Sequence, residues 1–227
     1  MNRKLVGRLT VLSGIIGFLS YFLVLGAVNF NFEFFSNPGS IFSTNNASSS
    51  LLKWSMITDI LGYYLLLLPL LFFIYDWLKA QTECRNVFTF FGAAYIFAGA
   101  LGAALLAASW PVLLDQFPNA SPIQQEIIKS TFENYYLLVG GGIWNLFDAL
   151  MFGLWFIAIG SFIKRTNSRW GWFTILVGML SALSFLGNIL SIKVLAEITL
   201  NLYLIAVPLW AVCFGLAIAQ QKVLSTK

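Results

Sequence analysis

Asp148 is the residue of this chain whose position most restricts its chemistry. It lies at the centre of the apolar stretch from Phe132 to Ile163, with about 24 Å of helix on each side at the helical rise of roughly 1.5 Å per residue. A carboxylate at that depth in a bilayer must be protonated, hydrogen-bonded, bound to a cation or exposed to a wet cavity. Two hypotheses follow: Asp148 binds a ligand or cation, or it forms a structural hydrogen bond.

Other polar residues are spaced so that each apolar segment has one polar face. Asn145 and Asp148 are three residues apart, which places them on the same face of an α-helix. Asp59, Asn188 and Asn201 lie on comparable stripes of the second, fifth and sixth apolar segments. With the orientation derived below, these three fall in the outer half of the membrane. The sequence therefore predicts a polar pocket that is open to the outside and has Asp148 at its floor.

The charges around this pocket limit what it can hold. No lysine or arginine lies deep in an apolar segment, so ionised Asp59 and Asp148 would need a proton, a small cation or a cationic ligand. The structural alternative is a protonated Asp148 that is hydrogen-bonded to Asn145 and to a neighbouring helix. Such interhelical hydrogen bonds stabilise membrane proteins by about 0.6 kcal/mol on average.

Catalytic and metal chemistry find little support in the sequence. The chain has no histidine, which excludes imidazole as a general base or zinc ligand. Cys84 and Cys213 lie in different segments and form no CxxC pair. We expect no catalytic residue, no metal and no cofactor. An enzyme that uses Asp59 and Asp148 as an acid and base pair is the weakest alternative.

Composition points to lipid as the solvent of this chain. Hydrophobic residues make up 59% and charged residues 10%, against roughly 45–50% and about 25% in soluble domains. The sequence predicts an all-α, polytopic membrane protein: one integral membrane domain over residues 1–227, built as a six-helix bundle. The predicted spans are 7–29, 51–78, 87–114, 132–163, 170–192 and 196–220.

The distribution of basic residues predicts the orientation, because loops rich in Lys and Arg stay in the cytoplasm. One side carries ten basic residues, Lys227 among them, and the other side carries Lys53, Lys129 and Lys193. Both termini are therefore expected inside. Residues 30–50 and 115–131 are expected to be outer polar loops, with the phenylalanines of the first loop in the membrane interface. Asn46 and Asn119 in these loops match the glycosylation sequon.

The segment over 87–114 is rich in glycine and alanine at four-residue spacing. Small residues let membrane helices approach closely, so this segment is expected at the centre of the packing. It is also the predicted surface for a membrane-protein partner or for a homo-oligomer. Nothing in the sequence resembles a basic surface for nucleic acid.

One run of residues resembles a known family. From Leu146 to Leu183 the chain reads LFDALMFGLWFIAIGSFIKRTNSRWGWFTILVGMLSAL, in which a basic turn separates two apolar segments. This pattern resembles a family of prokaryotic six-helix membrane proteins that carries only a domain-of-unknown-function label. The resemblance implies a six-helix fold and no site residues. The matching positions are Gly160, Lys164, Arg165, Trp170, Gly171 and Gly178.

Two functions are therefore predicted for a multi-pass protein of the cell membrane. In the first, the protein binds or carries a small ligand or cation through the outward-facing pocket. In the second, it is a non-catalytic accessory or scaffold subunit that packs against another membrane protein. Substitution of Asp148 distinguishes the two, since only the first requires a carboxylate in the pocket.

Overall fold

The computed structural model describes residues 2–35 and 37–224 of the chain. These residues form helices joined by turns, and no β-strand occurs among them. The all-α prediction is therefore confirmed for the described residues. Lys227, which the charge count placed on the inner side, lies outside them.

Among the described residues, six helical stretches are long and apolar enough to cross a membrane, as the sequence predicted. We number them as spans one to six in chain order. Length and composition do not give a direction across the membrane, so the orientation with both termini inside stays a prediction. The bounds of the spans are Arg3–Ala27, Ser49–Leu78, Arg85–Asn119, Pro122–Thr166, Ser168–Ile189 and Lys193–Ala219.

Hydrogen bonds at the helix ends define two sides of the bundle. Asn167 Nδ2 donates to Lys222 O over 3.4 Å and joins the turn after span four to the chain after span six. We call this the terminus side. On the opposite side, Ser48 N donates to Ala27 O over 2.9 Å across the connection between spans one and two. We call this the loop side, because the long connection 28–48 lies there.

The first and last helices pack closely along each other. Helix α1 (Arg3–Ala27) begins at an N-cap, Asn2, whose side chain accepts a hydrogen bond from Lys4 N over 3.0 Å. A Cβ atom at Gly14 would lie 2.7 Å from Val212 Cγ2 of the last helix. Small residues such as Gly14 let the two helices approach closely, which matters because lipid provides no hydrophobic drive for their association.

Span two is interrupted near its middle. Pro69 has no backbone N–H and its ring clashes with the preceding turn, so a regular helix does not continue through it. The span therefore contains a helix α2, a first π-helical segment, a 3₁₀ turn and a helix α3. Their bounds are Ser49–Asp59, Ile60–Tyr64, Leu65–Leu67 and Leu68–Leu78.

Neighbouring helices satisfy carbonyl groups at this interruption. The Ser13 hydroxyl donates to Gly62 O, and Tyr95 Oη donates to Tyr63 O over 2.9 Å. Irregular backbone is tolerated at membrane depth when other parts of the protein supply these hydrogen bonds. The interruption in span two is thus stabilised from spans one and three.

Helix α4 (Arg85–Gln116) is the long helix of span three, and its glycines pack inside the chain. A Cβ atom at Gly92 would lie 2.6 Å from Trp155 Cε2, and one at Gly102 would lie 2.8 Å from Trp144 Nε1. The expected central position of this segment agrees with these contacts. The glycine face is therefore occupied by the chain itself, and a partner or homo-oligomer through 87–114 stays a prediction.

Span four is also interrupted, and it begins earlier than predicted. Helix α5 starts at Pro122, within the stretch 115–131 that the sequence analysis assigned to a loop, so that assignment is wrong from Pro122 onward. A capping box explains the start, since the Ser121 and Gln124 side chains satisfy backbone groups of the first turn. The parts of span four are α5, a second π-helical segment and α6: Pro122–Tyr136, Leu137–Asp148 and Ala149–Thr166.

The last two helices, α7 (Ser168–Ile189) and α8 (Lys193–Ala219), form a hairpin. Helix α7 packs against α6, and Ser181 Oγ donates to Ala149 O over 2.9 Å. Span five thereby supports the junction at which the second π-helical segment changes into α6.

The connection 28–48 packs onto the bundle through two short 3₁₀ helices, Phe32–Phe35 and Pro38–Ser43. Phe34 is only 3% exposed and meets the Trp110 ring edge-on at 5.7 Å. The expectation that the phenylalanines of this loop lie in the membrane interface is therefore wrong for Phe34, whose side chain is buried within the protein. Phe32 is 62% exposed.

Candidate functional site

A cavity of about 140 Å³ lies between spans one, two, three, four, five and six, at the level of the two π-helical segments. It lies where the two hydrophobic clusters of the bundle meet. Tyr63 and Tyr203 of its wall belong to the cluster toward the terminus side, whereas Val24 and Trp110 belong to the cluster toward the loop side. The polar residues that line it are Ser20, Asp59, Asn145, Asp148, Ser181 and Ser184.

Three of the five predicted site residues meet in this cavity. Asp59 comes from the last turn of α2, and Asn145 and Asp148 come from the second π-helical segment. The structure does not bring Asn188 and Asn201 to the lining. Their amides donate to carbonyls of their own helices, Ser184 O and Glu197 O, each over 2.8 Å. Asn188 is near the end of α7 and Asn201 is exposed, which corrects the grouping of all five in one pocket.

The Asp148 carboxyl group is buried, with 5% of the residue exposed. Its Oδ2 atom accepts a long hydrogen bond of 3.5 Å from Tyr64 Oη. Its Oδ1 atom is buried and has no hydrogen-bond partner. The structural hypothesis expected hydrogen bonds to a neighbouring helix and to Asn145: the first is found, from Tyr64 of span two, and the second is not.

A second unpartnered polar atom lies on the same cavity wall. Ser184 Oγ, on α7, is buried without a hydrogen-bond partner. Among the described residues only one further buried side-chain atom of this kind occurs, Ser40 Oγ in the loop. Buried polar atoms are nearly always paired in folded proteins. Two of the three exceptions therefore line one cavity.

Tyrosines hold the wall of the cavity on the side of span two. Tyr203 Oη lies 3.5 Å from Tyr95 Oη, and Tyr63 Oη donates to Leu204 O over 2.6 Å. Together with the hydrogen bond from Tyr95 to Tyr63 O, these contacts connect spans two, three and six. Tyr64, which faces Asp148, packs against Tyr63 and Tyr95 of this framework, with ring centroids 6.5 and 5.2 Å apart.

Aromatic rings form a large part of the lining. Tyrosine and tryptophan rings present an apolar face together with a polar group, and their faces attract cations. The aromatic residues of the lining are Tyr21, Phe34, Phe35, Tyr63, Tyr64, Trp110, Tyr136, Trp144 and Tyr203.

The loop connection supplies the wall of the cavity on the loop side. Tyr136 Oη donates to Phe35 O over 3.1 Å, which fastens the 3₁₀ helix to span four. Trp110 stacks on Phe132 with ring centroids 4.7 Å apart and donates from Nε1 to Phe132 O over 3.3 Å. Phe34 and Phe35 thereby line the cavity.

The formal charges among the lining side chains are all negative. Asp59 and Asp148 are its ionisable acids, and no lysine or arginine is among the described residues that line it. Nor do three or more His, Cys, Asp or Glu side chains converge anywhere in the described part of the chain, as most transition-metal sites require. The cavity can stabilise a positive charge by its acids, hydrogen-bond a donor at Asp148 and enclose an apolar group with its rings.

The π-helical geometry explains which lining residues the sequence analysis missed. An α-helix has about 3.6 residues per turn, a spacing that would put Gly141 on the same face as Asn145 and Asp148. The π-helix is wider because its hydrogen bonds run from i to i+5. The wall therefore contains Gly140 and Trp144 instead of Gly141. Tyrosines in mid-span, such as Tyr64 and Tyr203, were a signal available in the sequence.

Comparisons with protein-family models, with curated proteins and with solved structures find no match to this chain. The resemblance over 146–183 to a family of prokaryotic six-helix membrane proteins therefore stays a prediction.

Proposed function

We propose that this protein is a multi-pass protein of the cell membrane that binds a small ligand in the cavity, and that it carries this ligand across the membrane. The observation that supports the proposal is that Asp148 Oδ1 and Ser184 Oγ are both buried, both unpartnered and both on the wall of one cavity. A bound ligand would supply the missing partners.

The free energy of burial supports a binding role. An unsatisfied buried polar group costs about 1–3 kcal/mol, and more when it is charged. Two such groups at one place reduce stability unless their cost is offset when a ligand binds. The free-energy cost is larger for Asp148 than for Ser184, because a carboxylate inside a membrane domain is costly.

The interrupted helices support a carrier in particular. Spans two and four both change from α-helix to π-helix beside the cavity, and the π-helical segments end at Tyr64 and Asp148. Short π-helical stretches are frequent at functional sites. Broken helices around a site deep in the bundle are a recurring feature of secondary transporters. The role of a non-catalytic accessory subunit stays the alternative.

A ligand screen on the purified full-length protein tests the binding role. Thermal unfolding in detergent is measured against a library of small cations, anions and neutral molecules. The proposal expects at least one compound that raises the Tm of the parent and fails to do so for Asp148→Asn. Asp115→Asn is the matched control, because Asp115 is exposed near the end of α4 and does not line the cavity.

The same variants test transport. Proteoliposomes loaded with the compound found in the screen should exchange it with labelled compound outside, and Asp148→Asn should abolish this exchange. A library in which no compound distinguishes the parent from Asp148→Asn would contradict the binding role. Binding without exchange would contradict the carrier role only.

A further inference from the structure

We infer that the ligand of this cavity is a small organic ammonium ion with at least one N–H group and an apolar body of about benzene size. This inference rests on the proposed function and adds the chemical class of the ligand. Four features of the cavity carry it: the sign of its charge, its unpartnered atoms, its rings and its volume.

The acids of the lining favour a cation. Asp59 and Asp148 face one space, and no basic side chain among the described lining residues neutralises them. An anion would find no counter-charge there and would disfavour ionisation of either acid, because Coulomb interactions are strong in such a medium. A cation supplies the counter-charge that two neighbouring carboxylates need to be ionised together.

With Asp148 ionised, the unpartnered atoms favour a hydrogen-bond donor. An ionised aspartate only accepts hydrogen bonds, and a serine hydroxyl can accept as well as donate. Asp148 Oδ1 and Ser184 Oγ are the atoms without partners. A primary or secondary ammonium ion offers two or three N–H donors for these two atoms, whereas a quaternary ammonium ion offers none. Charge-assisted hydrogen bonds of this kind are about twice as strong as neutral ones.

The rings favour an organic cation over a hydrated metal ion. Hard cations such as Ca²⁺ and Mg²⁺ need about six oxygen ligands around one point, whereas the two acids, the asparagine and the three serines of the lining are spread over spans one, two, four and five. The rest of the wall is apolar or aromatic and includes Val24, Met56, Leu200 and Leu204. Such a wall stabilises a bound ligand by burying its hydrocarbon part and by cation–π contact with its charge.

The volume of the cavity limits the size of the ligand's apolar body. At about 140 Å³ it is close to an engineered apolar cavity of about 150 Å³ that binds benzene. A ligand of roughly six heavy atoms therefore fits without movement of the walls. Cyclopentylammonium has this size, is protonated at neutral pH and has three N–H donors. Cyclopentanol is its neutral analogue, and tetramethylammonium is a cation of similar size without N–H groups.

These three compounds and sodium chloride are compared by thermal unfolding of the full-length protein in detergent. At about a hundredfold excess over Kd, cyclopentylammonium should raise Tm by roughly 5–10 °C. Cyclopentanol and sodium should change it by about 1 °C or less at the same concentration. Asp148→Asn should remove the effect of cyclopentylammonium, and Asp115→Asn should keep it.

Ser184→Ala isolates the hydrogen bond from the charge. It should weaken cyclopentylammonium binding by about fivefold and leave any weak binding of tetramethylammonium unchanged, because tetramethylammonium has no N–H to share. Ser161→Ala is the control: the Ser161 hydroxyl is exposed and donates to Ile157 O within its own helix. This control should bind cyclopentylammonium as the parent does.

The outcomes separate this inference from the proposed function. Equal stabilisation by cyclopentanol, or stabilisation by sodium that Asp148→Asn removes, would overturn the organic ammonium ion while leaving a ligand site in the cavity. No stabilisation by cyclopentylammonium would also overturn it. The library screen then decides whether the cavity binds another class of ligand or none.

Discussion

Tyr64 Oη lies 3.5 Å from Asp148 Oδ2, and these two residues are the last residues of the two π-helical segments. The hydrogen bond thus joins the interruption of span two to that of span four. It occupies one oxygen of the carboxyl group and leaves the other, Oδ1, without a partner. The irregular backbone and the unpartnered acid are therefore parts of one arrangement.

Replacing Tyr64 by phenylalanine tests how much this hydrogen bond orients Asp148. The contact is long, so we expect a loss of stability of about 0.5 kcal/mol, at the lower end of the range for hydrogen bonds. The ring is retained, so its packing against Tyr95, at 5.2 Å between centroids, should persist. Without the hydroxyl the carboxyl group can rotate, and the Kd for cyclopentylammonium should rise about two- to threefold.

Thermal unfolding and ligand titration of Tyr64→Phe provide both numbers. Tyr75→Phe is the control, because Tyr75 does not line the cavity and its ring faces Arg85 near the terminus side. A Tyr64→Phe variant with parental affinity would show that the carboxyl group is held by its surroundings alone.

Gly99 on α4 keeps room for the Tyr64 ring. A Cβ atom at Gly99 would overlap the ring of Tyr64, so Gly99→Ala must displace the tyrosine or the helix. Overpacking of this kind costs about 1–3 kcal/mol. We expect a lower Tm and weaker binding of cyclopentylammonium than in Tyr64→Phe, because the whole side chain moves and not only its hydroxyl.

Gly141→Ala is the matched control for Gly99→Ala. A Cβ atom at Gly141 would meet nothing within 4 Å, and alanine is up to about 1 kcal/mol more favourable than glycine in a helix. This variant should be as stable as the parent or more so. If Gly99→Ala behaved like Gly141→Ala, the close contact between α4 and Tyr64 would have no role in the site.

The general architecture could be predicted from the sequence because it depends on hydropathy over long windows. Six apolar segments required six helices, and the central place of segment 87–114 followed from its small residues. The depth of Asp148 was also predictable, since a residue count along a helix gives it directly. These features do not depend on how individual side chains meet.

The site itself was only partly predictable, because it depends on departures from regular helix. Asp59, Asn145 and Asp148 reach the cavity, but Tyr64, Trp144 and other lining residues follow the wider π-helical spacing. Asn188 and Asn201 were expected in the pocket on α-helical faces, and their amides instead bond to their own helices. The long-range pairing of Tyr64 with Asp148 has no signature in local spacing.

The predicted orientation can be tested with the exposed thiol of Cys84, in the turn between α3 and α4 on the terminus side. After Cys213→Ala, a membrane-impermeant maleimide should label Cys84 in inverted vesicles and not in intact cells. Adding Ser121→Cys to a Cys84→Ala background moves the thiol to the loop side, and labelling should then occur in intact cells. The reverse pattern would contradict the positive-inside prediction.

Phe34 is a buried residue of the cavity wall that the connection 28–48 supplies, which we call the loop wall. Its truncation tests whether the loop wall confines the ligand. Removing a buried phenylalanine side chain costs about 3–5 kcal/mol, and here the contact with Trp110 at 5.7 Å would be lost. Phe34→Ala should loosen the 3₁₀ helix Phe32–Phe35 from the bundle. The rate at which cyclopentylammonium dissociates should rise more than the rate at which it associates, because the wall that encloses the bound ligand is weakened.

Phe32→Ala is the control within the same 3₁₀ helix, since Phe32 is 62% exposed and its removal should change stability by about 0.5 kcal/mol or less. Stopped-flow measurement of binding to both variants gives the two rates. Faster association with an unchanged dissociation rate in Phe34→Ala would contradict the prediction, because it would mean that the loop obstructs entry without holding the bound ligand. Unchanged rates in both variants would place the ligand away from the loop wall, nearer to Asp148 and Ser184.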